Sequence, residues 1–213
     1  MATFGGENLA CDRGGRRVFS GVALNVRAGG ALVLCGPNGC GKSSLLRLLA
    51  GLLPAAAGRL TWDGAAVDAR EDAHRRRLTF LGHADALKPT FTCAENLRFW
   101  TAVAGGGDVA SARIEGALAA FGLDRLADVP ALHLSQGQRR RLALARLLTV
   151  PSLLWLLDEP RAALDDAAQK ALDGEIAAHR AAGGMVVLSQ HGVGGPADAQ
   201  RLDLSTCTGS ARC

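Results

Sequence analysis

A chain of 213 residues with 48% hydrophobic side chains has enough apolar mass for one well-filled core, which excludes a disordered chain. Lysine and arginine (24) exceed aspartate and glutamate (20) by a formal charge of only +4, too mild an excess to argue for nucleic acid. The longest apolar candidate, 142–157, contains Arg146 and Pro151 and is too short for a bilayer, so a membrane role would need a spanning partner.

Residues 1–8 lack the basic start and apolar run of a signal peptide. Residues 7–34 predict short strands and turns. Asp12-Arg13-Gly14-Gly15 is a turn signal, Phe19 a core candidate, and Val22-Ala23-Leu24-Asn25-Val26 alternates like a half-buried strand. Ala31-Leu32-Val33-Leu34-Cys35 reads as a buried strand, and the stretch from Ser44 to Ala50 as a helix.

Between them, Gly36-Pro37-Asn38-Gly39-Cys40-Gly41-Lys42-Ser43 fits G-x-x-x-x-G-K-[ST] and runs on into Ser44. Gly36, Gly39 and Gly41 permit backbone conformations that a Cβ forbids, so N–H groups converge on one anion in front of a helix N-terminus. Lys42 adds a cation at the β/γ-phosphates, and the Ser43 hydroxyl can ligate Mg²⁺.

Gly51-Leu52-Leu53-Pro54 ends that helix, 58–64 reads as a strand closing in a turn, and 69–77 is charged and helix-compatible. Leu78-Thr79-Phe80-Leu81-Gly82 is a strand with His83 at its end. Helices are expected over 92–104 and 109–121, split by three glycines, with Asp108 and Ser111 as N-cap candidates for the second. Ser135 and Gly137 open a basic amphipathic helix that Pro151 ends. The clusters Arg75-Arg76-Arg77 and Arg139-Arg140-Arg141 read as solvated faces. Leu153-Leu154-Trp155-Leu156-Leu157 is a strand buried on both faces, ending in Asp158-Glu159-Pro160. A helix over 165–181, a strand at Met185-Val186-Val187-Leu188, then His191 and a last edge strand at Leu202-Asp203-Leu204 complete the pattern. Residues 206–213 form a tail with no assigned structure.

Asp158 at a strand end suits a Mg²⁺ partner acting through water, and Glu159 a general base or water-positioning carboxylate. The six cysteines form no C-x-x-C pair, and two of them, Cys35 and Cys40, flank the phosphate loop, so reduced thiols and a cytosolic compartment are expected.

Leu134-Ser135-Gln136-Gly137-Gln138 resembles the L-S-G-G-Q signature of ATP-binding cassette (ABC) ATPases, with Gln136 departing from glycine. The resemblance covers about residues 5–205 and implies an α/β P-loop NTPase fold. A RecA-like core and small antiparallel β subdomain would occupy 1–83 and 134–205, with a helical subdomain inserted at 84–133. It further implies ATP and Mg²⁺ as cofactors. Gly36, Pro37, Asn38, Gly39, Cys40, Gly41, Lys42, Ser43 and Ser44 would form the nucleotide loop; Ser43 and Asp158 would bind metal; Glu159, His191 and Lys42 would be catalytic. Ala163-Leu164-Asp165 matches the D-loop. Ser135, Gly137 and Gln138 would grip the ATP of a second copy in a head-to-tail homodimer. Two positions depart. His83 stands where a metal-binding glutamine is usual, and would either replace it or serve a packing or capping role. Arg13 stands at the adenine-stacking aromatic, and would either stack instead or remain a solvated turn residue.

Leu81-Gly82-His83-Ala84-Asp85-Ala86-Leu87-Lys88, Thr92-Cys93-Ala94-Glu95-Asn96-Leu97 and the L-S-x-G-Q-x-R-R stretch resemble one branch, the ATP-binding subunit of the cytochrome c maturation haem exporter, the CcmA family. This implies a peripheral ATPase on the cytoplasmic face of the bacterial inner membrane. It would bind integral-membrane subunits through 83–100, with Lys88, Phe91 and Trp100 as contact candidates. Haem export and release of a haem-bound chaperone both remain open. So do a cassette for lipid or drug cargo, a soluble cassette acting on ribosomes or DNA, and a scaffold without turnover. Intact Lys42, Asp158, Glu159 and His191 argue against the last.

Overall fold

The computed structural model describes residues 2–105, 107, 110–190 and 195–207. Two sheets organise it. Strands β1 (Thr3–Arg13), β2 (Arg16–Arg27), β4 (Ala57–Trp62) and β5 (Ala65–Val67) form an antiparallel sheet in the order β2-β1-β4-β5. Strands β3 (Ala31–Cys35), β6 (Leu78–Leu81), β7 (Leu154–Leu157), β8 (Met185–Ser189) and β9 (Gln200–Asp203) form a sheet ordered β6-β7-β8-β3-β9, every pair parallel.

The parallel sheet is apolar on both faces because successive side chains on each strand serve different cores. Val33, Trp155, Leu157, Val186 and Leu188 pack with helices α3 (Cys93–Val103), α4 (Ser111–Ala120), α5 (Gln136–Thr149) and α6 (Asp166–Ala181). Leu32, Leu34, Leu154, Leu156, Met185 and Val187 pack with helix α1 (Lys42–Leu49) and the antiparallel sheet. Leu154–Leu157 before Asp158 is therefore a strand walled on both sides, whereas Leu153, expected in it, precedes the strand and is exposed.

Several local expectations need correction. The first two strands are long, 11 and 12 residues, where short ones were expected. Register shifts between Gly6 and Leu9, and again up to Asp12, break the alternation that marks a continuous strand in sequence. Ser111 is the first residue of α4 and not its cap; Ala110 takes that place with no side-chain bond, and Asp108 lies outside the described residues. The charged 69–77 stretch yields one helical turn, α2 (Asp72–Arg75), whose His74 is buried. The expected unstructured tail starts too early, because the Cys207 carbonyl accepts from Ser20 N–H at 2.9 Å. Helix α1 ends as expected: Gly51 at φ 70° closes a Schellman turn, with Leu52 N–H donating to Arg47 O and Gly51 N–H to Leu48 O.

Candidate nucleotide site

The site is built where β3, β7 and β8 end. Gly41 caps α1 at φ 106°, and a Cβ there would stand 2.8 Å from Val18 Cγ1, so glycine is required by both conformation and space. No side chain caps α1 and its first turn holds no acidic residue, which leaves its N–H groups free to face an anion. Lys42 is buried, and its Nζ donates to Gly36 O at 2.7 Å and Pro37 O at 3.0 Å. Both acceptors are neutral, so the ammonium arches over the loop with its charge uncancelled by them.

A cavity of about 700 Å³ opens over this loop, lined by Arg13, Gly14, Val18, Asn38, Gly39, Gly41, Lys42, Ser43, Ser44 and Glu159. That volume falls within the range of small-molecule sites. The hairpin turn places Arg13 here: Gly14 and Gly15 both have positive φ, 56° and 74°, as a tight two-residue turn demands. Cys40, Gly36 and Pro37 do not line the cavity. The Cys40 side chain is buried in the core beneath, which leaves only its backbone for a ligand.

Asp158, 2% exposed, reaches the loop from the end of β7, and its Oδ1 accepts from Ser43 Oγ at 3.0 Å and from Ser189 Oγ at 2.7 Å. The Ser189 hydroxyl also accepts Glu159 N–H at 2.9 Å. All the side-chain donors between Ser43 and Asp158 are oxygens, with one carboxylate. That is too few for a self-contained metal cage, and no group of three His, Cys, Asp or Glu suited to metal occurs among the described residues. It fits Mg²⁺, which takes one or two carboxylates and completes its shell with phosphate and water.

Not every expected site residue meets here. Ser135, Gly137 and Gln138 do not line the cavity. Ser135 Oγ accepts Gln138 N–H at 3.2 Å while Gln138 Oε1 accepts Ser135 N–H at 2.8 Å, a capping box that starts α5. The Gln138 side chain therefore serves its own helix. His83, expected among the metal ligands, is exposed and lines a different cavity of about 420 Å³ with Phe80, Trp100 and Arg146. The strand ends at Leu81, and beyond it His83 shares its cavity with Trp100 and Val103 of α3, not with the loop. His191 lies outside the described residues.

Two residues were missed. Arg140, read as part of a solvated cluster, is 4% exposed. Its Nη1 donates to Gly82 O (3.0 Å) and Asp85 Oδ1 (3.2 Å), and its Nη2 to Asp158 O (3.1 Å) and Glu159 O (2.9 Å). The signal was present: Leu144 and Leu147 follow at i+4 and i+7, so Arg140 sits on the apolar stripe of its helix. Ser189 gave none, because the parallel neighbours of β8 cannot be read from one sequence. Pairing of Leu157 with Leu188 brings Ser189 level with Asp158.

The ABC transporter family model matches residues 19–162. A "Cytochrome c biogenesis ATP-binding export protein CcmA" of Paramagnetospirillum magneticum is 55% identical over 95% of this chain and 94% of its own. The protein of the same name from Rhodospirillum rubrum is 54% identical over 89% and 80%. The chain belongs to the ABC transporter family, in its CcmA branch. The solved fold of a putative ABC transporter ATP-binding protein from Pyrococcus furiosus superposes with a TM-score of 0.85 at 22% identity, covering 97% of this chain and all of that one. A cassette solved as a dimer with ADP and Pi gives 0.78 at 24% identity, over 89% of this chain and 88% of its own. The expected P-loop NTPase fold of ABC type thus holds. As an ABC ATPase domain the chain binds nucleotide.

Proposed function

We propose that this chain hydrolyses ATP as the nucleotide-binding subunit of a membrane ABC complex serving cytochrome c biogenesis. One observation carries the chemistry: Ser43 and Asp158 share a hydrogen bond at 3.0 Å beside the buried Lys42, at the mouth of the α1 N-terminus. Lys42 and the loop N–H groups hold the β- and γ-phosphates. Ser43 and Asp158 hold Mg²⁺, which when bound offsets phosphate charge. Glu159 orients the attacking water and accepts its proton. Arg13 stacks its guanidinium plane on the adenine. His191 is assigned as the switch histidine from its place in the sequence. His83 is left out of the metal set, because its ring lines the other cavity.

The α5 N-terminus, with Ser135 and Gly137, completes the site of a second copy and makes the working unit a homodimer; the dimeric cassette among the structural relatives supports this. No helix among the described residues is long and apolar enough to span a membrane. As a subunit of such a complex, this chain would sit peripherally, on the cytoplasmic face of the inner membrane, against spanning subunits that meet residues 83–100. The names of the relatives favour cytochrome c biogenesis over lipid or drug export, and we assign haem as the cargo.

Lys42→Ala is expected to abolish ATP turnover; unchanged turnover overturns the site. Glu159→Gln is expected to trap an ATP-bound dimer, and a variant that stays monomeric by light scattering with ATP counts against the sandwich. Purification from membranes is expected to bring spanning cytochrome c biogenesis subunits along. Recovery with lipid- or drug-export subunits instead would replace the cargo assignment.

A further inference from the structure

Glu159 adopts φ 47°, the left-handed region that side chains other than glycine rarely occupy. Such a conformation persists only where the surroundings over-determine it. Here both backbone polar groups of Glu159 are taken. Its N–H donates to Ser189 Oγ at 2.9 Å, and its carbonyl accepts from Arg140 Nη2 at 2.9 Å as well as from Ala162 N–H at 3.1 Å. Each clamping side chain also grips the residue before. Arg140 Nη2 reaches Asp158 O and Ser189 Oγ reaches Asp158 Oδ1. The turn after β7 is thus pinned from α5 on one side and from β8 on the other. Arg140 Nη1 holds Gly82 and Asp85, which ties this turn to the start of the 83–100 segment.

Neither Arg140 nor Ser189 lines the nucleotide cavity, whereas Glu159 does. Arg140 therefore reaches the Asp158–Glu159 turn only through its carbonyls, while Ser189 holds the Glu159 N–H and also the Asp158 carboxylate, so Arg140 isolates the effect on Glu159. Backbone φ sets where Cβ points, so relaxation of Glu159 to an ordinary conformation would swing its carboxylate away from the loop.

We propose that Arg140 and Ser189 are positioning residues that hold Glu159 in its left-handed conformation and so aim its carboxylate at the phosphate loop. The proposal rests on the assignment of Glu159 as the residue that orients water. It predicts a loss confined to turnover, since Lys42, Ser43 and the loop amides keep their places and nucleotide still binds.

The test uses the full-length chain. Arg140→Ala removes four bonds at once and risks the fold, so Arg140→Lys is used, whose single ammonium cannot span the same carbonyls. Ser189→Ala removes the other clamp, and Ser189→Thr restores the hydroxyl. ATP turnover is normalised to folded protein, and nucleotide affinity is followed with a fluorescent ATP analogue. The expected result is a fall in kcat of about 10- to 100-fold for Arg140→Lys and Ser189→Ala, the scale of a misplaced catalytic group, with affinity within about twofold and turnover recovered in Ser189→Thr. Added to Glu159→Gln, Arg140→Lys is expected to lower the residual turnover no further, because the group it positions is already gone. Unchanged kcat in both clamp variants, beside an inactive Glu159→Gln, overturns the clamp and leaves the site assignment standing. Weakened affinity with kcat unchanged also overturns it. Full turnover in Glu159→Gln overturns the site assignment and the clamp with it.

Discussion

The chain carries two arginine triplets that look alike in sequence and end in opposite environments. Arg75, Arg76 and Arg77 are all exposed, at the end of the single turn of α2 and just beyond it. Arg139, Arg140 and Arg141 begin the second turn of α5, and there the middle guanidinium is buried while its neighbours are half-buried. Arg139 donates to Leu134 O at 2.7 Å and Arg141 to Phe121 O at 3.2 Å, so all three side chains of this triplet are spoken for by backbone carbonyls. The lesson is that a helix's depth, and not its charge, decides what a cluster does. Helix α5 lies between the parallel sheet and helices α3 and α4, so its polar side chains must meet strand ends and loop carbonyls. The first triplet has no such neighbours on its outer side, and the buried polar group there is His74.

The largest expected contrast is in stability. Arg140→Ala leaves Asp85 without its partner and four acceptors short of a donor; loss of one member of a buried pair costs about 3 kcal/mol or more. Asp85 is 24% exposed at its side chain, which favours the lower end. Arg76→Ala is expected to stay within about 0.5 kcal/mol, as exposed substitutions do. Urea denaturation of both variants measures the difference; equal midpoints would erase the distinction between the triplets.

The second effect is pH-dependent and belongs to the first triplet. His74 Nδ1 accepts from Trp62 Nε1 at 3.0 Å, its Nε2 donates to Leu49 O at 2.8 Å, and burial pulls its pKa below the ordinary histidine value. The folded state therefore keeps His74 neutral while the unfolded chain takes up a proton. Stability is full above about pH 6.5 and falls as pH drops from there toward the lowered folded value, by at most about 1.4 kcal/mol per pH unit. His179, stacked on Trp155 at 3.9 Å and also lowered by burial, adds a loss of the same sign. His74→Gln is expected to reduce the slope of stability between pH 6.5 and 5, and the double replacement with His179 to remove most of it. A slope untouched by both would place the titrating groups elsewhere.

Third comes Arg141, the outer member of the buried triplet. Its bond to Phe121 O is a single charge-to-carbonyl contact from a half-buried side chain, so Arg141→Ala is expected to cost about 1 kcal/mol. Denaturation midpoints should then order the variants Arg140, Arg141, Arg76. Any other order would mean that depth along α5 does not set the cost.

How much of this could be read beforehand follows the same line. The strand, loop and helix around Lys42 were legible because each local rule agrees: an apolar run, three glycines at positive φ, and good helix formers. The run ending at Asp158 was legible because a strand covered on both faces leaves no polar position to confuse it. Ser135 was legible as a helix start, yet its bond to Gln138 shows the same residues capping α5 that were assigned to a second nucleotide. What stayed hidden depends on neighbours far along the chain. His74 needed Trp62 and Leu49, Ser189 needed the β7–β8 register, and Arg140 needed the carbonyls of Gly82 and Glu159, 58 and 19 residues away. His83 was placed by its position after a strand, but the direction of the following turn is set by packing against α3, where Trp100 Nε1 donates to Ala86 O at 2.9 Å.

The smallest effect tests whether the exposed triplet acts on anything at all. Burial does most to lower the pKa of His74; the charges of Arg77 and Arg75 lower it further through space, while Asp68 raises it. Arg75 is exposed and its ion pair with Asp72, at 4.0 Å between half- and fully exposed side chains, contributes little. Arg75→Gln should therefore leave stability at pH 8 unchanged within about 0.5 kcal/mol. It should move the His74 imidazole titration upward, toward the ordinary value, which shortens the acid window over which stability is lost. Asp68→Asn removes the one anion named among these neighbours and should move it the other way. Proton NMR of the His74 ring resolves both directions. Shifts of opposite sign in the two variants would show that the solvated arginines still reach the buried histidine. If neither moves, burial and hydrogen bonding set its protonation, and among the described residues the only tie of the first triplet's charges to the interior is Arg77 over the Trp62 ring, 5.3 Å from its centroid.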